Sequence, residues 1–177
     1  PGIEGTSQEE VHILALFDTA QAAFKLQEIV YDHLPGENDE KAFGMQVVVD
    51  EKGEVLGFNK KLLIGASTLS VERVVQTIHS LRGLAIASHI DREGFSLIGQ
   101  LGFIPENLEL DALEISPQTS YEEAKRKFQQ SYPLITFSDA HFLEEIGRGV
   151  TCFHIKRGNT QEIRKALQNE EGRKIIH

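Results

Sequence analysis

The chain has 177 residues with a single cysteine, is 40% hydrophobic and 25% charged, and carries 18 basic against 27 acidic side chains, a formal net charge of −9. That composition excludes a disulfide framework, a cysteine-only metal site and intrinsic disorder, and no apolar run approaches the ~18–20 residues of a membrane helix. The acidic balance argues against a broad sequence-independent grip on nucleic acid, which needs a basic surface, but leaves room for a small anion at a local cationic centre that bound metal ions can supply.

Length and composition point to one soluble domain in a reducing, cytoplasmic setting. The chain opens Pro1-Gly2-Ile3-Glu4 without a methionine, and this opening reads as the tail of a strand whose body is missing. Val11–Phe17 is a short apolar run of strand length. Thr19–Leu34 reads as a helix, with Ala23, Leu26, Val30 and Leu34 at spacings of three and four and Pro35-Gly36 as its stop. Residues 36–42 are polar and read as a loop. Met45–Val49 and Glu54–Phe58 flank Asp50-Glu51-Lys52-Gly53, a hairpin pattern.

Ser70 caps the clearest helix, whose stripe is Val71, Val74, Val75, Ile78 and Leu81, with Gly83 as its C′ residue. Leu84–Ser88 is almost wholly apolar, as in a strand of a parallel sheet covered on both faces. Residues 93–109 read as a loop with one helical turn. A strand at Leu110–Ile115 follows, then a helix opened by a Ser120-x-x-Glu123 capping box and running to about Gln130. Strands at Leu134–Ser138 and Val150–Ile155 precede a last helix at Thr160–Asn169, where Asn159-x-x-Glu162 resembles a second capping box. Strands repeatedly follow helices, which predicts an α/β fold with a largely parallel sheet or barrel.

Ionisable residues gather where such folds place their chemistry. His89 follows one strand directly, Asp139 and His141 follow another, and Glu4 ends the opening segment. Groups beyond the carboxyl ends of parallel strands share one face of the molecule. In extended backbone the i, i+2 spacing of Asp139 and His141 points both side chains the same way. His12 lies eight residues after Glu4, within reach of a short connection. His, Asp and Glu together suit a divalent ion of intermediate hardness, such as Zn, Mn or Fe. A single histidine after a strand is more often a surface or hydrogen-bonded residue, so the weight rests on the five together. By contrast, His33 and His79 read as solvated helix residues, His154 as a strand residue of either face, and Cys152 as a small core residue. Ser138 reads as a strand-end hydrogen bonder and not a nucleophile.

Four segments, Pro1-Gly2-Ile3-Glu4, Glu10-Val11-His12-Ile13-Leu14, Ala87-Ser88-His89-Ile90-Asp91-Arg92 and Phe137-Ser138-Asp139-Ala140-His141, resemble successive motifs of the PHP (polymerase and histidinol phosphatase) superfamily. The resemblance implies a distorted seven-stranded β/α barrel of TIM-like type with a two- or three-metal site that hydrolyses phosphoesters. It implies that Glu4 bridges two metals, that His12 and His89 complete one of them, that Asp139 binds the metal shared with the amino-terminal histidines, that His141 binds a third, and that Arg92 contacts substrate phosphate. The family's opening Asp-x-His-x-His strand and a following strand ending in Asp-His are found nowhere in the 177 residues. The resemblance therefore places residues 1–177 as the carboxy-terminal portion of one PHP-like domain, its first two strands and helices absent, with residues 45–58 as an inserted hairpin.

The expected activity is metal-dependent hydrolysis of a small phosphomonoester, a nucleotide or a short oligonucleotide, weak or absent in this chain alone. The alternatives are a non-catalytic PHP-like regulatory or binding module and a plain α/β structural domain. The incomplete barrel predicts a partner: a homo-oligomer or a separate amino-terminal fragment.

Overall fold

The computed structural model describes residues 1–128 and 132–176. The elements in chain order are β1 (Gly2–Thr6), β2 (His12–Leu16), α1 (Ala20–Asp32), α2 (Glu40–Phe43), β3 (Val47–Val49), β4 (Val55–Phe58), α3 (Val71–Ser80), β5 (Leu84–Ala87), α4 (Leu97–Leu101), β6 (Ala112–Ile115), α5 (Tyr121–Phe128), β7 (Leu134–Thr136), β8 (Cys152–His154), α6 (Thr160–Leu167) and β9 (Lys174–Ile176). The expected end of α5 at Gln130, and His177, lie outside the described residues. No helix among the described residues is long and apolar enough to cross a membrane.

The main sheet has the order β1-β2-β5-β6-β7. It is mixed, which corrects the expectation of a largely parallel sheet. The β1–β2 and β2–β5 pairs are antiparallel, and β5–β6 and β6–β7 are parallel. For β1 and β2 the reason is the short connection between Thr6 and His12, which joins antiparallel neighbours and is far too short for a crossover. Glu4 sits inside the paired segment Gly2–Thr6, opposite Leu14.

Helix α3 forms where the apolar stripe predicts it. The Ser70 hydroxyl accepts from Arg73 N–H, and Val71, Val74, Val75 and Ile78 are all buried. Each such side chain contributes about 1.5–3 kcal/mol on burial. The left-handed residue after this helix is Arg82 (φ 62°), not Gly83. Gly83 is needed for close packing, since a Cβ there would lie 2.5 Å from Phe17 Cε1 and 2.8 Å from Ile78 Cγ2.

Two apolar layers sandwich the sheet. Val11, Ile13, Ala15 and Phe17 of the β2 segment join α1 and α3 on one face. Ile86, Ala112, Ile135 and Leu167 form the core of the other face, with Leu14 and Leu16 packed against them. Strands β5 and β6 are buried along their whole length, as their sequences predict.

Four local expectations are corrected. Residues 40–43 form a single helical turn, because the Asp39 carboxylate accepts from Lys41 N–H. Cys152 is exposed, since among the described residues β8 pairs with β9 alone, in a separate two-stranded sheet. His79 is bonded to Asp111 and not merely solvated. Asn159 does cap α6, accepting from Glu162 N–H, but the Glu162 carboxylate pairs with Arg173 instead of turning back to the cap.

Candidate metal centre

The site is built on the second face of the sheet, at the carboxyl ends of β1, β5 and β6. Directly opposed residues of an antiparallel pair share a face, so Glu4 lies with Leu14 and, two residues back along β2, with His12. Because β2 runs antiparallel to β5, its amino end bearing His12 lies beside the carboxyl end of β5. Ser88 N–H donates to the His12 carbonyl, and the Ser88 hydroxyl donates to Glu4 Oε1 at 2.7 Å.

Strict alternation past Ser88 would send the next side chain to the opposite face. His89 breaks the alternation with φ 30°, a left-handed conformation rarely adopted by side-chain-bearing residues. Asp139, just after β7, does the same with φ 46°. Such backbone costs on the order of 1–3 kcal/mol per residue and concentrates at functional sites.

Ligand atoms of Glu4, His12 and His89 lie within 4.8 Å of one another. The imidazole rings of His12 and His89 meet edge-on, 5.4 Å between centroids. Phe95 stacks on His12 at 4.8 Å and accepts from its backbone N–H. His12 Nδ1 lies 3.3 Å from Glu4 Oε2, off the hydrogen-bond direction. Nδ1 of both His12 and His89 is buried without a hydrogen-bond partner, a costly state for a polar atom unless a further group completes it. Two imidazole nitrogens and a carboxylate oxygen form a donor set that fits Zn, Mn or Fe.

Electrostatics prepare these groups as ligands. Burial raises the Glu4 carboxyl, but His12, the Ser88 hydroxyl and the positive potential of both imidazoles outweigh it and hold the pKa at about 2. Burial and the Arg92 charge push His89 below the usual histidine range, against the pull of Glu4, so its ring is neutral near pH 7 and offers a lone pair.

The other expected residues lie alongside but are engaged differently. Arg92 donates to Asp139 Oδ2 at 2.6 Å, joining the loops after β5 and β7. His141 Nδ1–H donates to the Asp139 carbonyl, which leaves Nε2 as the free ring nitrogen, and the residue is exposed. Asp139 influences the titration of both His89 and Glu114, which places it at the same end of the sheet. The close cluster itself consists of Glu4, His12 and His89.

Sequence reading missed Glu114. It is 3% exposed, beside Ala112 and Ile86 on the site's face of β6, and its backbone carbonyl accepts from Ile90 N–H, next to His89. Burial, with the charges of Glu4 and Asp139, raises its pKa to about 7. The available signal was a carboxylate inside the otherwise apolar Ala112–Ile115 strand. Asp91 was also passed over. It ties the loop to the end of β6, accepting from Ser116 N–H and from the hydroxyls of Ser116 and Thr119.

Residues 126–171, which include Asp139 and His141, match the family model described as PHP-associated. The uncharacterized protein YqxK of Bacillus subtilis (strain 168) is 30% identical over 121 residues, 61% of this chain and 31% of that protein. The lesion-specific endonuclease PfuEndoQ from Pyrococcus furiosus superposes with a TM-score of 0.71 at 22% identity, covering 99% of this chain and 40% of that one. Endonuclease Q in complex with a 27-mer duplex bearing an abasic lesion at its active site gives 0.68 at 20% identity, with the same coverage. The chain thus spans 31–40% of the lengths of these relatives. The PHP-associated segment at residues 126–171, set within the fold of an endonuclease Q, bears out the PHP-superfamily resemblance carried by the four sequence motifs.

Proposed function

We propose that this chain supplies part of a PHP-type centre for metal-dependent hydrolysis of a phosphoester, with a nucleic-acid strand as the favoured substrate over a small phosphomonoester. The observation that carries the reading is the convergence of Glu4, His12 and His89, with two buried imidazole nitrogens that make no hydrogen bond. The two endonuclease Q neighbours support nucleic acid as the substrate class. The five-stranded sheet, open at β1 and β7, fits an incomplete distorted barrel. In this reading residues 1–177 are one PHP-like portion, and hairpin 45–58 is an insertion.

Glu4, His12 and His89 would hold one divalent ion, and Asp139 and His141 would serve further positions. Bound divalent ions supply Lewis acidity that makes hydroxide available near neutral pH and offsets charge on phosphoryl oxygens. The protein's own groups orient and bind. Ser88 holds one Glu4 oxygen and so aims the other at His12. The Glu114 backbone carbonyl holds Ile90 N–H, and so fixes the loop that carries His89. Arg92, paired with Asp139 here, carries a planar guanidinium fork that would suit a substrate phosphate. Phe95 covers one face of His12 and keeps water from that side.

Calorimetric titration with Mn²⁺ and Zn²⁺, paired with turnover of bis(p-nitrophenyl) phosphate, tests the reading. His89→Ala should abolish saturable metal uptake and reduce turnover more than about a hundredfold. Unchanged metal content and turnover would overturn the proposal. The second reading is a metal-binding module without catalysis; metal uptake without turnover by the full-length protein would select it.

A further inference from the structure

A cleft of about 480 Å³ adjoins the metal centre, and Arg92, Asp139, His141, Phe142 and Arg148 are among its lining residues. Phe142 is 70% exposed, and its neighbours Leu143 and Ile146 are 82% and 69% exposed. Three large apolar side chains in water do nothing for folding at that point, since none of them joins either core cluster. Nor is the turn that carries them loose. The Glu145 carboxylate accepts from the backbone N–H groups of His141 and Phe142, closing the 3₁₀ turn at Leu143–Glu145. The Ser138 hydroxyl accepts from Gly147 N–H at 2.8 Å and donates to the Gly149 carbonyl, holding the far end of the segment.

The turn is therefore a pinned platform that presents an aromatic ring beside two guanidinium groups. Arg92 is bound to Asp139 at 2.6 Å, whereas Arg148 touches Glu145 only at 3.4 Å and is 60% exposed. A long contact between exposed groups restrains a side chain little, so Arg148 is available to an incoming anion. In a chain of net charge −9, a guanidinium and an aromatic ring lining one cleft form a local feature, not part of a basic face.

We propose that Phe142 and Arg148 form a base-and-phosphate subsite for single-stranded DNA: an unstacked base lies on the Phe142 ring while Arg148 contacts the adjoining phosphate. This rests on the phosphoester reading above and names how its substrate is gripped. An acyl chain or an apolar peptide would fit the ring but has no use for the guanidinium. A free phosphate would fit the guanidinium but not the ring. A nucleotide unit of a strand presents both chemistries at adjacent positions, and stacking on an aromatic is tolerant of base identity.

The test is binding of the full chain to a fluorescein-labelled 12-mer of single-stranded DNA, read by anisotropy, against a 12-mer of the same backbone made of abasic tetrahydrofuran units. Phe142→Ala should weaken binding of the base-bearing strand about five- to a hundredfold and leave the abasic strand unchanged. Phe142→Tyr should restore it, because the stacking face is kept. Arg148→Gln should weaken both strands and lower the slope of log affinity against log salt concentration by about one. Both side chains are exposed, so the variants fold, and thermal melting checks that they do. Equal losses on the two strands in Phe142→Ala, or no loss on either, would overturn the subsite. The metal titration of His89→Ala reads the hydrolytic centre separately, so failure of the platform with metal uptake intact refutes the subsite alone.

Discussion

Two histidine–carboxylate clusters sit at opposite ends of strand β5, and they are built to different standards. At the amino end, Asp111 accepts from His79 Nε2 at 2.9 Å and from Ala85 N–H at 2.8 Å, and pairs with Arg164 at 3.0 Å. It ties α3, α6 and the start of β5 together with each carboxylate oxygen engaged. At the carboxyl end, ligand atoms of Glu4, His12 and His89 come within 4.8 Å of one another, yet two ring nitrogens make no hydrogen bond and His89 is held in a left-handed conformation. The same residue types thus make a finished staple at one end and an open donor set at the other. A folding-only role leaves few buried polar atoms unmatched, so the unmatched end is the one to assign to a ligand.

The largest expected effect separates the two ends by metal affinity. Glu4→Gln keeps the side-chain shape and an acceptor for Ser88, but removes the charge that would face a cation. It should weaken Mn²⁺ or Zn²⁺ binding by at least tenfold to a hundredfold in calorimetry. Metal affinity that survives this change would erase the distinction drawn between the clusters. Asp111→Ala should do the reverse. It leaves His79, the Ala85 N–H and Arg164 without their acceptor, which costs about 2–4 kcal/mol in urea unfolding, with metal affinity intact. A variant that lost metal while keeping its stability would place function at the wrong end.

The smallest effect is a pH dependence at a third carboxylate that is also fully committed. Hydrogen bonds from both arms of the Arg173 fork, and the Lys156 backbone N–H, hold Glu162 at a pKa of about 2 against an ordinary 4.5. Because the folded value is depressed, its stabilisation is present above pH 4.5 and is lost as the pH falls from there toward 2. The melting temperature of the parent should therefore exceed that of Glu162→Gln at pH 7, and the gap should close between pH 4.5 and 2. A gap that persists at pH 2 would show that the contact is steric and not ionic.

How much of this was legible beforehand follows from the range of each interaction. The α3 stripe, the Ser70 cap, the fully buried β5 and the hairpin around Asp50–Gly53 were readable because neighbours in sequence make those contacts. His12 and His89 were readable as candidate ligands from motif and position beside strands, and in the fold they lie near Glu4. Glu114 was not, because a carboxylate in an apolar strand declares its role only when its neighbours across the sheet are known. His79 was misread for the same reason: its partner lies 32 residues away.

Sequence by itself determined the α/β class, the order of most elements, the PHP-type motifs and the residue types able to take a divalent ion. Only the tertiary structure decided that β1 and β2 run antiparallel, that Glu4 reaches the imidazoles from mid-strand, and that Asp139 pairs with Arg92. It alone set Phe142 on a pinned, exposed turn beside Arg148. The division has one physical cause: periodicity and capping are set within a turn or two of helix or strand, whereas strand direction, shared faces and the company of a charge depend on segments distant along the chain.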